Sequence, residues 1–145
     1  MERSFYMERL PYIDEHAIAV GGSRADTWAA LVRGLGAELT GGALLARLLG
    51  CDPATRSARF EGRVGDSVPG FRVVESDPGR RLALQGCHRF SRYRLTFLVA
   101  DGQLRARTHA AFPGVHGRLY RAAVIGTGGH RIATRLMLHR LTGAA

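Results

Sequence analysis

Lysine and asparagine are missing from this chain of 145 residues, and its 21 Lys-plus-Arg residues are all arginine. A codon bias toward G and C is the plainest reading of the choice of arginine over lysine, and it leaves the excess of base over acid to be explained. The formal net charge of +9 calls for a solvated basic face or an anionic partner. Cysteine is scarce. Cys51 and Cys87 are the only two, with neither a C-x-x-C pair nor metal-ligand spacing. That pattern excludes a disulfide scaffold and a zinc-finger type of site, and it fits a reducing compartment. Long apolar runs are lacking as well. The best candidate, around Leu119–Ile125, is interrupted by Arg121 and falls far short of the roughly 20 residues that span a bilayer. The opening segment MERSFYMERLPYIDEH contains no apolar core of the kind a secretory signal has, so a cytoplasmic protein without a membrane span is expected. Repeats, low-complexity tracts and linkers are absent too, and 1–145 reads as one domain with its core over about 12–141. The glycine run GTGG, Gly126–Gly129, has no following lysine and does not follow a strand, which excludes a phosphate loop.

What is present is hydrophobic patterning, with 46% apolar residues. Tyr12–Val20 alternates as a strand, with His16, Ile18 and Val20 on one face and Glu15, Ala17 and Ala19 on the other. Gly21-Gly22 breaks it. Ser23 then has the character of a helix N-cap, with Asp26 in the capping-box position. Trp28, Leu31, Val32 and Leu35 form an apolar stripe on a helix predicted over Arg24–Gly34. A second short helix is predicted over Ala43–Leu49, ending before Asp52-Pro53. Short strands are expected over Ser57–Arg63 and Gly70–Ser76.

Three strands follow, over Arg81–Phe90, Tyr93–Ala100 and Gln103–Phe112. Asp101-Gly102 is a strong two-residue hairpin signal; it pairs Val99 with Leu104 and Phe97 with Ala106. Ser91-Arg92 is read as the preceding turn, which pairs Phe90 with Tyr93 and sets Arg89 opposite Arg94. One face then carries Leu82, Leu84, Gly86, His88 and Phe90, then Tyr93, Leu95, Phe97 and Val99, then Leu104, Ala106, Thr108, Ala110 and Phe112. The other carries Arg81, Gln85, Cys87, Arg89, Arg94, Arg105, Arg107 and His109. Pro78-Gly79 adds Phe71 and Val73 to the apolar face, with Glu75 at its rim. An antiparallel sheet apolar on one side must be covered there. A long helix from about Gly117 to Leu141 is predicted to do so, through Leu119, Ala122, Ala123, Gly126, His130, Ala133, Met137 and Leu141. The small residues Gly86, Ala106 and Ala110 facing Ala122, Ala123 and Gly126 predict a cavity between sheet and helix.

Inward polar residues are the candidate site: His88, Tyr93, Thr108, Tyr120 and His130, with His16 inward on the first strand. They read as polar points orienting a ligand in an apolar cavity, against the plainer reading of satisfied core and rim groups. Cys87 and His88 do not form a nucleophile–base pair, because neighbouring strand residues point to opposite faces. No catalytic constellation and no metal site is assigned: His16, His88 and His130 show no close ligand spacing and no carboxylate supporting them. An acid–base pair of Glu75 with an inward histidine is the enzymatic alternative.

The order of one strand, two short helices, a meander and a long final helix resembles the helix-grip fold of the START-like, or SRPBCC, superfamily. That superfamily includes the birch pollen allergen, polyketide cyclases and lipid-transfer domains. The segment AIAVGGSRADTWAAL resembles its opening. PGFRVVESDPGRRLAL, HRFSRYRLTF and FPGVHGRLYRAAVIGTGGH resemble an uncharacterised bacterial branch. The resemblance implies an α+β fold in which a curved antiparallel sheet of six to seven strands wraps around the C-terminal helix. It implies a bound small apolar molecule or lipid, or else a cyclase/dehydratase reaction in the same cavity. It brings no catalytic residues and no cofactor. A homodimer is allowed, and nucleic acid is disfavoured because the aromatics lie inside while the arginines lie outside.

Overall fold

The computed structural model describes residues 10–38, 48, 50–53, 57–112, 114–126 and 129–142. Strand β1, Tyr12–Ala19, leads into helix α1, Arg24–Glu38. Five strands follow: β2 (Ser67–Val68), β3 (Phe71–Asp77), β4 (Arg81–His88), β5 (Ser91–Ala100) and β6 (Gln103–Ala111). The chain closes with helix α2, Gly114–Arg121, a π-helical turn, Ala122–Gly126, and helix α3, Gly129–Thr142. The strands form one open six-stranded antiparallel sheet in the order β1-β6-β5-β4-β3-β2. The expected helix over 43–49 lies outside the described residues, apart from Leu48.

Helix α1 starts where its cap predicts. The Asp26 amide donates to Ser23 Oγ at 3.1 Å, and the Ser23 amide donates to Asp26 Oδ2 at 3.2 Å. This reciprocal pair satisfies two amides that the helix end would otherwise orphan. The helix runs one turn beyond Gly34, because Leu35 is fully buried along with Leu31 and Gly36 lies against Phe60.

The hairpin at Asp101-Gly102 forms as expected, with Val99 opposite Leu104 and Phe97 opposite Ala106. The preceding turn does not. His88 pairs with Ser91, so Arg89 and Phe90 occupy the turn, in place of Ser91-Arg92. His88 itself secures this tighter choice: Nδ1 accepts the Phe90 amide at 3.1 Å, and Nε2 lies 3.0 Å from Ser91 Oγ. The register moves by four residues relative to the expected one. Because side chains alternate with period two, every residue keeps its face. Leu82 and Phe97, Leu84 and Leu95, and Gly86 and Tyr93 are therefore inward neighbours. Arg94 is opposite Gln85, not Arg89.

Two further corrections have local causes. Segment 57–63 is not a strand; the Asp66 carboxylate accepts the amides of Glu61 (2.9 Å) and Arg63 (3.1 Å) and gathers it into a loop. One long helix over the C-terminal stretch is not shown among the described residues: α2 passes into a π-helical turn at Ala122–Gly126, and the last helix, α3, is short. The π turn follows α2 and departs from the 3.6-residue period, and the first part of the expected apolar stripe does not face the sheet. Leu119 is 65% exposed, and Ala122 and Ala123 are exposed. Among the described side chains of α3, Thr134 and Leu138 are buried, and Met137, one of the expected stripe residues, packs against the core as expected. Helix α3 packs on α1, β1 and β6. Leu31, Leu35 and Leu138 thereby join Val73, Leu82, Leu84, Leu95, Phe97, Val99 and Leu104 in one core.

Candidate functional site

The inner sheet face divides into two regions. At one end lie the aromatic groups. His88 stands edge-on to Tyr120 at 4.9 Å between centroids and within 6.0 Å of the Phe90 and Tyr93 rings. Phe90 stacks on Tyr120 at 5.5 Å, and Phe71 meets Tyr93 edge-on at 5.2 Å. Close backbone approach makes this packing possible. Gly117, in the first half of α2, sits against the carbonyls of Phe112 and Phe90 with no room for a Cβ. This brings Tyr120 over the β4–β5 turn.

The predicted residues His88, Tyr93 and Tyr120 are thus brought together, but their polar atoms are largely engaged within the protein. The Tyr93 hydroxyl donates to the Gly70 carbonyl at 2.6 Å, and both ring nitrogens of His88 hold the turn. The segment at Asp52-Pro53 closes this end. Asp52 exchanges backbone hydrogen bonds with Cys87 at 2.8 and 3.2 Å, and the Gly70 amide donates to the Pro53 carbonyl at 2.7 Å. Cys51 and Cys87 are both free thiols. Burial pushes the Tyr93 and Tyr120 hydroxyls and the Cys51 thiol up from their ordinary values, and it pushes His88 down. The cluster is therefore uncharged at neutral pH. It forms an apolar wall with no activated nucleophile.

The second region lies on β1 and β6. Beyond Leu104, the inward residues of β6 are small: Ala106, Thr108 and Ala110. Opposite them on β1 stand His16, in register with Ala106, and Asp14, in register with Thr108. His16 Nε2 is 3.2 Å from Asp14 Oδ2. His16 is 9% exposed and Thr108 6% exposed. Thr108 Oγ1 is buried without a hydrogen-bond partner. A register irregularity between Tyr12 and Asp14 lets Tyr12 turn outward onto His109, with ring centroids 5.8 Å apart, while Asp14 stays inside. The sequence reading placed His16 and Thr108 on this face but passed over Asp14. The signal was there, since Asp14 and His16 are two apart on one strand. The side chain of His130 lies outside the described residues.

Glu75 is not at the inner rim. A bulge between Val73 and Glu75 turns it to the outer face, where it meets Arg81 at 3.0 Å and Arg94 at 3.1 Å. Glu15 meets Arg107 there at 3.1 Å. The arginines of the outer face are thus partly met by the sheet's own carboxylates. Burial and the neighbouring Arg107, Arg94 and Arg81 push His109 down on the same face. On the far side of α1, Trp28 is only partly buried and lines an open groove of about 760 Å³ with Val32, Arg33, Phe60 and Arg63. Among the described residues, no group of three His, Cys, Asp or Glu side chains is placed to hold a metal ion, and no helix is long and apolar enough to cross a membrane.

These features define an α+β protein with an open six-stranded antiparallel sheet and helices on its apolar face. Solved structures that share this fold include two that cover most of this chain. Protein CV1439 from Chromobacterium violaceum is 15% identical, with a TM-score of 0.56 over 92% of this chain and 97% of that one. Protein MLL2253 from Mesorhizobium loti is 14% identical, with a TM-score of 0.52 over 90% of this chain and 93% of that one. No protein-family model matches the chain, and a comparison with curated proteins finds no match.

Proposed function

We propose that this protein has a helix-grip fold of the START-like kind and binds a small apolar molecule or lipid between its inner sheet face and its C-terminal helices. The order of elements and the inward run of small residues on β6 support that reading. The observation that carries it is Thr108: its hydroxyl is buried on the apolar face with no protein partner. A buried, unpaired hydroxyl costs about 1–3 kcal/mol, and a bound molecule that pairs with it recovers that cost. The aromatic cluster of His88, Tyr93 and Tyr120 then forms the end wall of the site. For the cyclase/dehydratase alternative the expected carboxylate, Glu75, lies on the outer face among arginines, which leaves Asp14 beside His16 as the inward carboxylate–histidine pair.

Native mass spectrometry of protein purified from its own host tests the proposal. The expected result is a co-purifying small molecule that is released on denaturation, together with competition between that molecule and a fluorescent apolar probe. A chain that carries nothing and takes up no apolar probe would overturn it.

A further inference from the structure

We propose that Asp14, His16 and Thr108 form a recognition point for a neutral hydroxyl or carbonyl head on an otherwise apolar ligand. This inference rests on the ligand-binding reading above and specifies the chemistry of the molecule bound.

The three side chains occupy one patch. Asp14 is directly opposite Thr108, and His16 is opposite Ala106 one step along the same face. Directly opposed residues of antiparallel strands hold their Cβ atoms about 4.5–5.5 Å apart and diagonal ones about 7–8 Å. Asp14 is thus beside Thr108, and His16, which meets Asp14 at 3.2 Å, is the diagonal neighbour, so a polar group placed between β1 and β6 meets all three. The roles follow from donor and acceptor inventory. An ionised carboxylate only accepts, so the His16 nitrogen facing Asp14, Nε2 at 3.2 Å, carries the proton. In the neutral ring Nδ1 is then left as an acceptor. Thr108 Oγ1 both donates and accepts, and nothing in the protein uses it. A hydroxyl head would donate to one of these groups and accept from the other. A carbonyl head would accept from Thr108.

The patch disfavours an anionic head. Every arginine of β3, β4, β5 and β6 is in register on the outer face: Arg72, Arg81, Arg92, Arg94, Arg105 and Arg107. The inner sheet face therefore offers a carboxylate and no guanidinium, and an unpaired buried charge is far more costly than a paired neutral group. Fatty alcohols, ketones and neutral ring systems bearing a hydroxyl fit this chemistry. Fatty acids and lipid phosphates do not.

The test compares 1-decanol with decanoate at pH 8, by calorimetry, on the full chain and on Thr108→Val. Valine keeps the shape and removes only the hydroxyl. Decanol is expected to bind the wild type roughly tenfold more tightly than decanoate, and Thr108→Val to lose most of that advantage, as the loss of one hydrogen bond implies. Thr108→Val should also unfold at the same temperature as the wild type or higher, because it removes an unpaired buried hydroxyl; a merely structural threonine would give the opposite. Decanoate binding as well as decanol, decanol binding unchanged in Thr108→Val, or a Thr108→Val variant that melts earlier would each overturn the recognition point and leave apolar binding standing. Failure of both probes to bind would overturn the ligand-binding reading along with it.

Discussion

The hydroxyl of Tyr93 donates to the carbonyl of Gly70 at 2.6 Å, directly above Gly86. Gly86 and Tyr93 are register partners on β4 and β5, and a Cβ on Gly86 would collide with that same carbonyl and press on the Tyr93 ring. The glycine is what lets the edge loop close over the aromatic cluster. Tyr93→Phe is expected to cost about 1–3 kcal/mol, because it strands the Gly70 carbonyl. Gly86→Ala should cost more, since backbone has to move. Urea unfolding of the two variants checks the order.

Helix α1 separates two kinds of apolar residue. Leu35 is fully buried, whereas Trp28 is partly in water at the groove beside Phe60. Leu35→Ala is expected to destabilise by about 2–5 kcal/mol, and Trp28→Ala by less, even though it removes the larger side chain. Thermal unfolding measures the first comparison. Trp28 is the sole tryptophan, so its emission in the wild type, red-shifted relative to a buried indole, gives an independent check.

His88 gives stability a pH dependence. Burial holds its native pKa below the ordinary 6.5, so the unfolded chain takes up a proton before the native one does. Stability is then fully present above about 6.5 and falls as the pH drops from there toward the lower native value. His109 acts in the same direction. The urea midpoint is expected to be lower at pH 5.5 than at pH 7.5, and His88→Gln should flatten that decline. An NMR titration that placed His88 above 6.5 would contradict the account.

On the outer face, Glu75 bridges Arg81 and Arg94. All three side chains are partly in water, so screening limits the contribution of each pair. A double-mutant cycle of Glu75→Gln with Arg94→Gln should return a coupling of about 0.2–1 kcal/mol that shrinks at high salt.

The Ser23–Asp26 cap is exposed and local. Ser23→Ala is expected to cost about 1 kcal/mol without changing ligand uptake, which equilibrium unfolding and probe binding together would show.

The features that the sequence determined by itself are those whose causes are local or periodic. The capping box at Ser23 and Asp26, the Asp101-Gly102 hairpin and the inward and outward sets of β4, β5 and β6 all follow from nearest-neighbour chemistry and a period of two. The faces even survived a wrong turn, because a four-residue slip preserves parity. Tertiary structure decided what depends on irregularity. The bulge that takes Glu75 outside, the irregularity that keeps Asp14 inside and the π turn that follows α2 are each departures from a regular period. No periodic pattern contains such departures, since their position is set by how β1, β6 and α3 pack on one another. The pairing of Asp14 with Thr108 is of this kind: 94 residues separate them in the chain, and only the closing of β1 onto β6 places them side by side.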